Sequence, residues 1–250
     1  MSALASSPHA PVTLADLLDR PDVWRGDALA ATPRPGQPTG YGELDAQLPG
    51  GGWPRGALSE LLAPPGTGVA ALLAPALAAC SGPLLLVAPP WPVHAPGWAG
   101  AGIVPGRLTL VEATGQDGAW TCETALALGG FAALLAWLPE IDARGLRRLQ
   151  LAAEGFGGPA FIVRPQARGR EASPAPLRLT VANAPRGLQV QITKRRSGSL
   201  PPPLLLQPTR ALAPFLERDR ALALPASAPA APGRPAPVTA VTPPIHPLHA

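Results

Sequence analysis

Short apolar runs alternate with longer helical patterns through the middle of this chain, and proline and glycine punctuate both. Residues 57–62 read as a first strand, followed over about 69–79 by a helix that Pro75 interrupts if it runs that far. The run LLLVA at 84–88 is short and bounded by prolines, which favours a buried strand over a helix. Strands are predicted again at 108–111, 131–138 and 160–163. Helices fall between them over 120–128 and 142–154, with Leu146 and Leu149 marking the inward side of the second. This alternation specifies an α/β domain with a mainly parallel sheet, helices on its faces and right-handed crossovers.

After Arg164 the pattern changes to period two. LRLTV at 177–181 and LQVQIT at 188–193 flank the turn residues 183–187, which predicts an antiparallel hairpin extending the sheet edge. Leucines at 204–206 are expected to add a strand or packing segment, and a short helix is expected over 212–222, with Pro214 tolerated only in its first turn. At the other end, Thr13, Asp16 and the leucines Leu14, Leu17 and Leu18 predict a short amphipathic helix over 13–20 that Pro21 closes. The chain thus divides into an N-terminal helix with a proline-containing linker (1–38), an α/β core (39–207) and a C-terminal tail (208–250). The tail from Pro225 has the composition of a segment that stays disordered alone.

Composition sharpens this picture. At 250 residues the chain can bury one sizeable core, and its 36 prolines require substantial loops and tails outside it. The net charge of +4 is unevenly spread: residues 1–60 hold seven acidic and four basic side chains, whereas 164–196 hold eight basic and one acidic. Only the second stretch has the electrostatic footprint of an anionic partner. Cys80 and Cys122 lack a metal-ligand spacing, and His9, His94, His246 and His249 do not cluster with them. Two buried or incidental thiols in a reduced, cytoplasmic setting are the expectation, with a disulfide as the formal alternative and no metal site. Neither an export signal nor an apolar stretch of membrane length is legible.

The residues that carry chemistry begin at Ala63, where APPGTGVA occupies 63–70 in place of GxxxxGK[ST]. A working phosphate loop needs a lysine for the β/γ-phosphates and a hydroxyl for Mg²⁺. Gly66, Thr67 and Gly68 keep the turn-like portion, but Val69 and Ala70 stand at the other two places, and Lys194 is the single lysine of the chain. Backbone amides at the start of the next helix can still receive an anion, although affinity suffers without lysine or Mg²⁺. The expectation is a structural loop with no bound cofactor and no hydrolysis.

With loop and flanks read together, TGYGELDAQLPGGGWPRGALSELLAPPGTG at 39–68 resembles the entry to a recombinase-type ATPase core. It is still more similar to the ImuA family of bacterial translesion-synthesis accessory proteins. The similarity continues through FAALLAWLPEIDARGLRRLQLAAEGFGGPAFIVRP and ends in GLQVQITKRR, covering about residues 39–196. The resemblance implies a three-layer RecA-like core working in an SOS-induced mutasome. The partners it implies are a Y-family-like accessory protein and, through the complex, an error-prone replicative-type polymerase subunit. The recombinase filament and single-stranded DNA are further candidates. It also implies a metal-supporting acid at the end of a central strand, where this chain has Trp137.

Several other side chains have two readings. Glu60, Glu112 and Glu140 are conceivable as displaced catalytic carboxylates, but solvated or helix-entry roles are expected. Lys194, Arg195 and Arg196 form the sharpest basic run. Aided by Arg178 and Arg186 if the strands bring them close, they would contact DNA, a filament or an acidic protein; otherwise they solvate an edge strand. Arg144, Arg147 and Arg148 read as the solvated side of a helix. Trp91 and Trp98 lie in a long proline-rich loop as candidate aromatic contacts, with partner contact or local folding favoured over base stacking. Leu14, Leu17, Leu18 and Trp24 can pack on the core or enter a partner groove, and Ile245, Pro247 and Leu248 are too few to define a motif. The resulting expectation is a noncatalytic adaptor of translesion DNA synthesis. A divergent DNA-dependent ATPase and a recombinase-filament inhibitor are the alternatives.

Overall fold

The computed structural model describes residues 35–113, 115–196 and 198–208. The helices expected at 13–20 and 212–222, Trp24 and the C-terminal tail lie outside them. Strand β1 (Leu58–Ala63) pairs in parallel with β5 (Ala160–Pro165) on one side and β6 (Leu177–Ala184) on the other. Beyond β5 come β4 (Ala133–Trp137), β2 (Leu84–Val87) and the edge strand β3 (Leu108–Val111), all parallel. Strand β7 (Gly187–Lys194) returns antiparallel to β6 and carries β8 (Leu204–Leu206). Among the described residues the result is one eight-stranded sheet of order β3-β2-β4-β5-β1-β6-β7-β8.

Two apolar layers cover the sheet. Helix α2 (Val69–Ala79) packs on one face over Leu61, Leu84, Leu86, Leu135, Phe161 and Leu179. Helices α4 (Gly115–Leu128) and α5 (Ala143–Ala153) cover the other, over Leu58, Leu85, Val87, Leu134, Ala136 and Ile162. Burial on both faces is why β1, β2 and β4 read as near-continuous apolar runs. In β7 only Leu188, Val190 and Ile192 point inward, which gives the period of two. Helix α5 begins at Asp142, whose carboxylate accepts from the Gly145 N–H at 2.7 Å. Further along, Gln150 accepts from the Leu58 N–H at 3.0 Å and ties α5 to the start of β1.

Helix α2 does not stop at Pro75; it runs through to Ala79. Pro75 supplies no N–H to the Ala71 carbonyl one turn earlier. The Tyr41 hydroxyl donates to that carbonyl instead, at 3.4 Å. Tyr41 precedes the short helix α1 (Gly42–Asp45), so the segment TGYGELD is pressed against α2. Gly40 makes the approach feasible. Its φ is +87°, and a Cβ there would collide with the Pro75 ring. Slightly earlier in the described chain, the Gly36 N–H donates to the Gly50 carbonyl at 2.8 Å, and Gln37 and Trp53 exchange backbone hydrogen bonds of 2.8 and 2.7 Å.

The proline-rich stretch after β2 also differs from expectation. Helix α3 (Ala95–Gly100) forms inside it, because Pro96 suits a first helical turn and His94 Nδ1 accepts from the Gly97 N–H at 3.2 Å. No helix among the described residues is long and apolar enough to cross a membrane.

Candidate functional site

The altered phosphate loop leaves the C-terminal end of β1 and enters α2 at Val69. Gly66 takes a φ of +77°. The Thr67 N–H donates to the Pro64 carbonyl at 3.2 Å and the Val69 N–H to the Thr67 carbonyl at 2.7 Å. Two amides of the turn are therefore spent on the loop's own carbonyls. The Val69 side chain is buried in the cluster beneath α2, and Ala70 is half-buried. Trp137, at the end of β4, packs half-buried against the same cluster, which also includes Ala63 and Val163. The loop, the following helix and the end of β4 thus meet through apolar contact.

Beside this loop lies a group of buried charges. Glu60 is fully buried in the middle of β1, where a solvated or helix-entry role was expected. Its register neighbours are Ile162 of β5 and Arg178 of β6. Arg164 reaches Glu60 Oε1 at 2.8 Å, while Arg178 contacts Oε2 at 2.9 Å and Oε1 at 3.1 Å. Arg164 also donates to Glu171 at 2.6 Å and to the Ile141 carbonyl at 2.8 Å. Arg178 donates to the carbonyls of Gly169 and Glu171 at 3.0 and 2.9 Å. At the surface, Arg168 links Glu171 to Glu140 at 2.7 and 2.8 Å. Burial by itself would raise the Glu60 carboxyl, but hydrogen bonds from Arg178, Ser173 and Arg164 outweigh it and hold the group below its ordinary 4.5. The bonds to Gly169, Glu171 and Ile141 fasten the connection between β5 and β6, and the loop before α5, onto the sheet.

This arrangement corrects the reading of Arg178 as a surface contact. It is buried and committed to Glu60. Lys194 stands opposite Arg178 in the hairpin register, whereas Arg186 sits in the turn at the far end of the same hairpin. The strands therefore do not gather the five basic residues into one patch. Lys194 is exposed and donates to the Ser173 carbonyl at 2.6 Å. Arg195 is half-buried and donates to the carbonyls of Gln47 and Ser199. Arg196 and Arg186 are exposed.

The two loop tryptophans also part company: Trp91 is exposed, while Trp98 lies in α3 and packs against the core beneath α2. Arg144, Arg147 and Arg148 do lie on the outer side of α5, and Arg148 pairs with Glu123 of α4. Glu112 is exposed after β3, and Glu140 is exposed but paired. Cys80 and Cys122 are free, buried thiols. Burial pushes both upward, Cys122 to about 12. Among the described residues no group of three or more His, Cys, Asp or Glu is placed to hold a metal ion.

The Glu60 network had a sequence signal. A glutamate inside LSELLA and an arginine inside AFIVRP each interrupt an otherwise apolar strand, and buried charges on neighbouring strands require partners.

A central parallel sheet of this order, with a phosphate-loop turn after β1 and an antiparallel extension beyond β6, defines a RecA-like α/β fold. The crystal structure of the RadB recombinase matches it with a TM-score of 0.57 at 14% identity, over 68% of this chain and 95% of that one. No protein-family model matches the chain, and no curated protein matches it in sequence.

Proposed function

We propose that this chain is a noncatalytic adaptor of SOS-induced translesion DNA synthesis, a member of the ImuA type. In this reading it holds a Y-family-like accessory protein, and through it an error-prone polymerase subunit, near damaged or recombinase-coated DNA. The observation that carries the reading is the apolar closure of the loop. Val69 is packed into the core and Trp137 against it, at the positions where the resemblance implies a phosphate-binding lysine and a metal-supporting carboxylate. Glu60, the acid nearest the loop in sequence, has its oxygens engaged by Arg164 and Arg178. The ordered resemblance over 39–196 supplies the specific pathway. Function of this kind works by effective concentration, joining two partners without a chemical step of its own.

The test is binding of the full-length protein to the accessory protein, with and without single-stranded DNA and across salt, alongside nucleotide turnover in the same mixtures. Tight accessory-protein binding with no turnover above background is expected. DNA-stimulated turnover would favour the ATPase alternative. Weakened filament assembly without a stable accessory complex would favour an inhibitor.

A further inference from the structure

The carboxyl half of β1 is covered differently from the rest of its face. Leu58 and Ile162 lie in the apolar layer beneath α4 and α5, and further along the same two strands Glu60, Leu62 and Arg164 point the same way. Leu62 is 1% exposed yet belongs to neither apolar layer. Its cover is the connection from β5 to β6, residues 166–176. A Cβ at Gly169 would lie 3.5 Å from Leu62 Cδ1, so the connection rests directly on β1.

This cover is held mainly by charge. Its 3₁₀ turn over Gln166–Arg170 buries none of its residues, and Ala175 is the one buried residue of the connection. Arg164 donates to one carboxylate oxygen of Glu171 and Arg168 to the other. Arg178 holds the Gly169 and Glu171 carbonyls, and Lys194 the Ser173 carbonyl. Segments with few buried apolar contacts are those that open at the lowest free energy. Arg164 Nε favours opening further: it is buried without a hydrogen-bond partner among the described residues, so water would supply a bond that the closed state lacks.

We propose that residues 166–176 form a strap that opens as a unit while the sheet stays folded, with the Glu171 carboxylate as its clasp. The strap leaves β5 where Pro165 pairs with Ala63, the first residue of the altered phosphate loop. Its opening uncovers Glu60, Leu62 and Arg164 just before that loop, without displacing a helix or a strand. The clasp is also the part of the charged network that water already reaches. Glu171 is 39% and Arg168 32% exposed at the side chain, whereas Glu60 and Arg164 are wholly buried. Release therefore starts at Glu171, where the ion pairs are partly solvated and weakest. Opening of this kind does not depend on the adaptor reading.

Alkylation of a full-length chain carrying Leu62→Cys provides the test, with N-ethylmaleimide as the probe and each site followed by peptide mass. The native buried thiol Cys122 reports opening of the core in the same molecules. The introduced thiol should react at least tenfold faster than Cys122. Adding Glu171→Gln should speed it at least tenfold more and leave Cys122 unchanged. Reaction no faster than at Cys122, equal acceleration at both thiols, or no response to Glu171→Gln would overturn the proposal. Because Leu62→Cys itself thins the contact beneath the strap, a second readout keeps the native Leu62. Exchange of the Arg164 Nε–H, followed by NMR, should quicken at least tenfold on Glu171→Gln relative to the Leu61 amide of β1. An unchanged ratio would equally overturn the proposal.

Discussion

The Tyr41 hydroxyl donates to the Ala71 carbonyl, the acceptor that Pro75 leaves without its helical partner. A buried carbonyl left unpaired costs about 1–3 kcal/mol, so a tyrosine from another element rescues a proline inside a helix. Tyr41→Phe should therefore destabilise the protein by about 1 kcal/mol, and much less in a Pro75→Ala background, where the restored backbone N–H can donate to the Ala71 carbonyl itself. A double-mutant cycle by denaturant unfolding reads the coupling. Equal effects in both backgrounds would show that the hydroxyl does not serve this carbonyl.

Alkaline stability follows from the same residue. Burial pushes the Tyr41 phenol up to about 12 from an ordinary 10. The folded state thus holds this proton more tightly than the unfolded chain. The contribution is fully present below pH 10 and is lost as pH rises from 10 to 12. Tyr41→Phe should flatten the decline of stability in that window, measured as the difference between the two proteins so that the Cys122 contribution cancels.

Glu60→Gln should be among the most damaging single changes. It leaves Arg164 and Arg178 buried without their shared counter-charge, and breaking a buried pair in this way costs about 3–5 kcal/mol. In the native protein the folded carboxyl lies below its ordinary value, so its stabilisation is present above pH 4.5 and fades as pH falls through the folded value. Acid unfolding of the native protein and of Glu60→Gln, compared by circular dichroism, checks both statements. The variant should lack this component of the acid transition.

Restoring the motif should not restore the chemistry. Val69→Lys places an ammonium in a site that is 3% exposed, and the expected result is a loss of several kcal/mol. Mg²⁺-nucleotide should raise the melting temperature of neither the native protein nor Val69→Lys combined with Ala70→Thr and Trp137→Asp. A nucleotide-dependent rise in the native protein would contradict the structural reading of the loop.

The basic run should separate into unlike members. Arg195→Ala removes hydrogen bonds to Gln47 and Ser199 and should lower stability by about 1–2 kcal/mol. Arg196→Ala should leave stability within about 0.5 kcal/mol. If single-stranded DNA binds through this corner, Arg196→Ala should weaken it and shallow the salt dependence by about one phosphate contact.

Much of the sheet was legible because its strands carry their environment in their composition. LLLV can only be buried on both faces, and LQVQIT can only be buried on one. The altered loop was legible from the identities of two residues, Val69 and Ala70. What the sequence did not disclose depends on contacts between distant segments. Pro75 looked like a helix breaker because its rescue comes from Tyr41, in a separate element that precedes β1. Arg178 looked like a surface cation because its partner Glu60 lies 118 residues away. Trp98 looked like part of an open loop because α3 is short and is held by local capping, without an amphipathic period of its own.

The outermost strands, β3 and β8, are only four and three residues long. A second chain aligned on either border would gain just a few backbone hydrogen bonds, too few to offset the entropy of association. Among the described residues, sheet extension is therefore a poor route for joining copies of this protein into a continuous fibre, which leaves side chains on the helices and loops to specify contacts between copies.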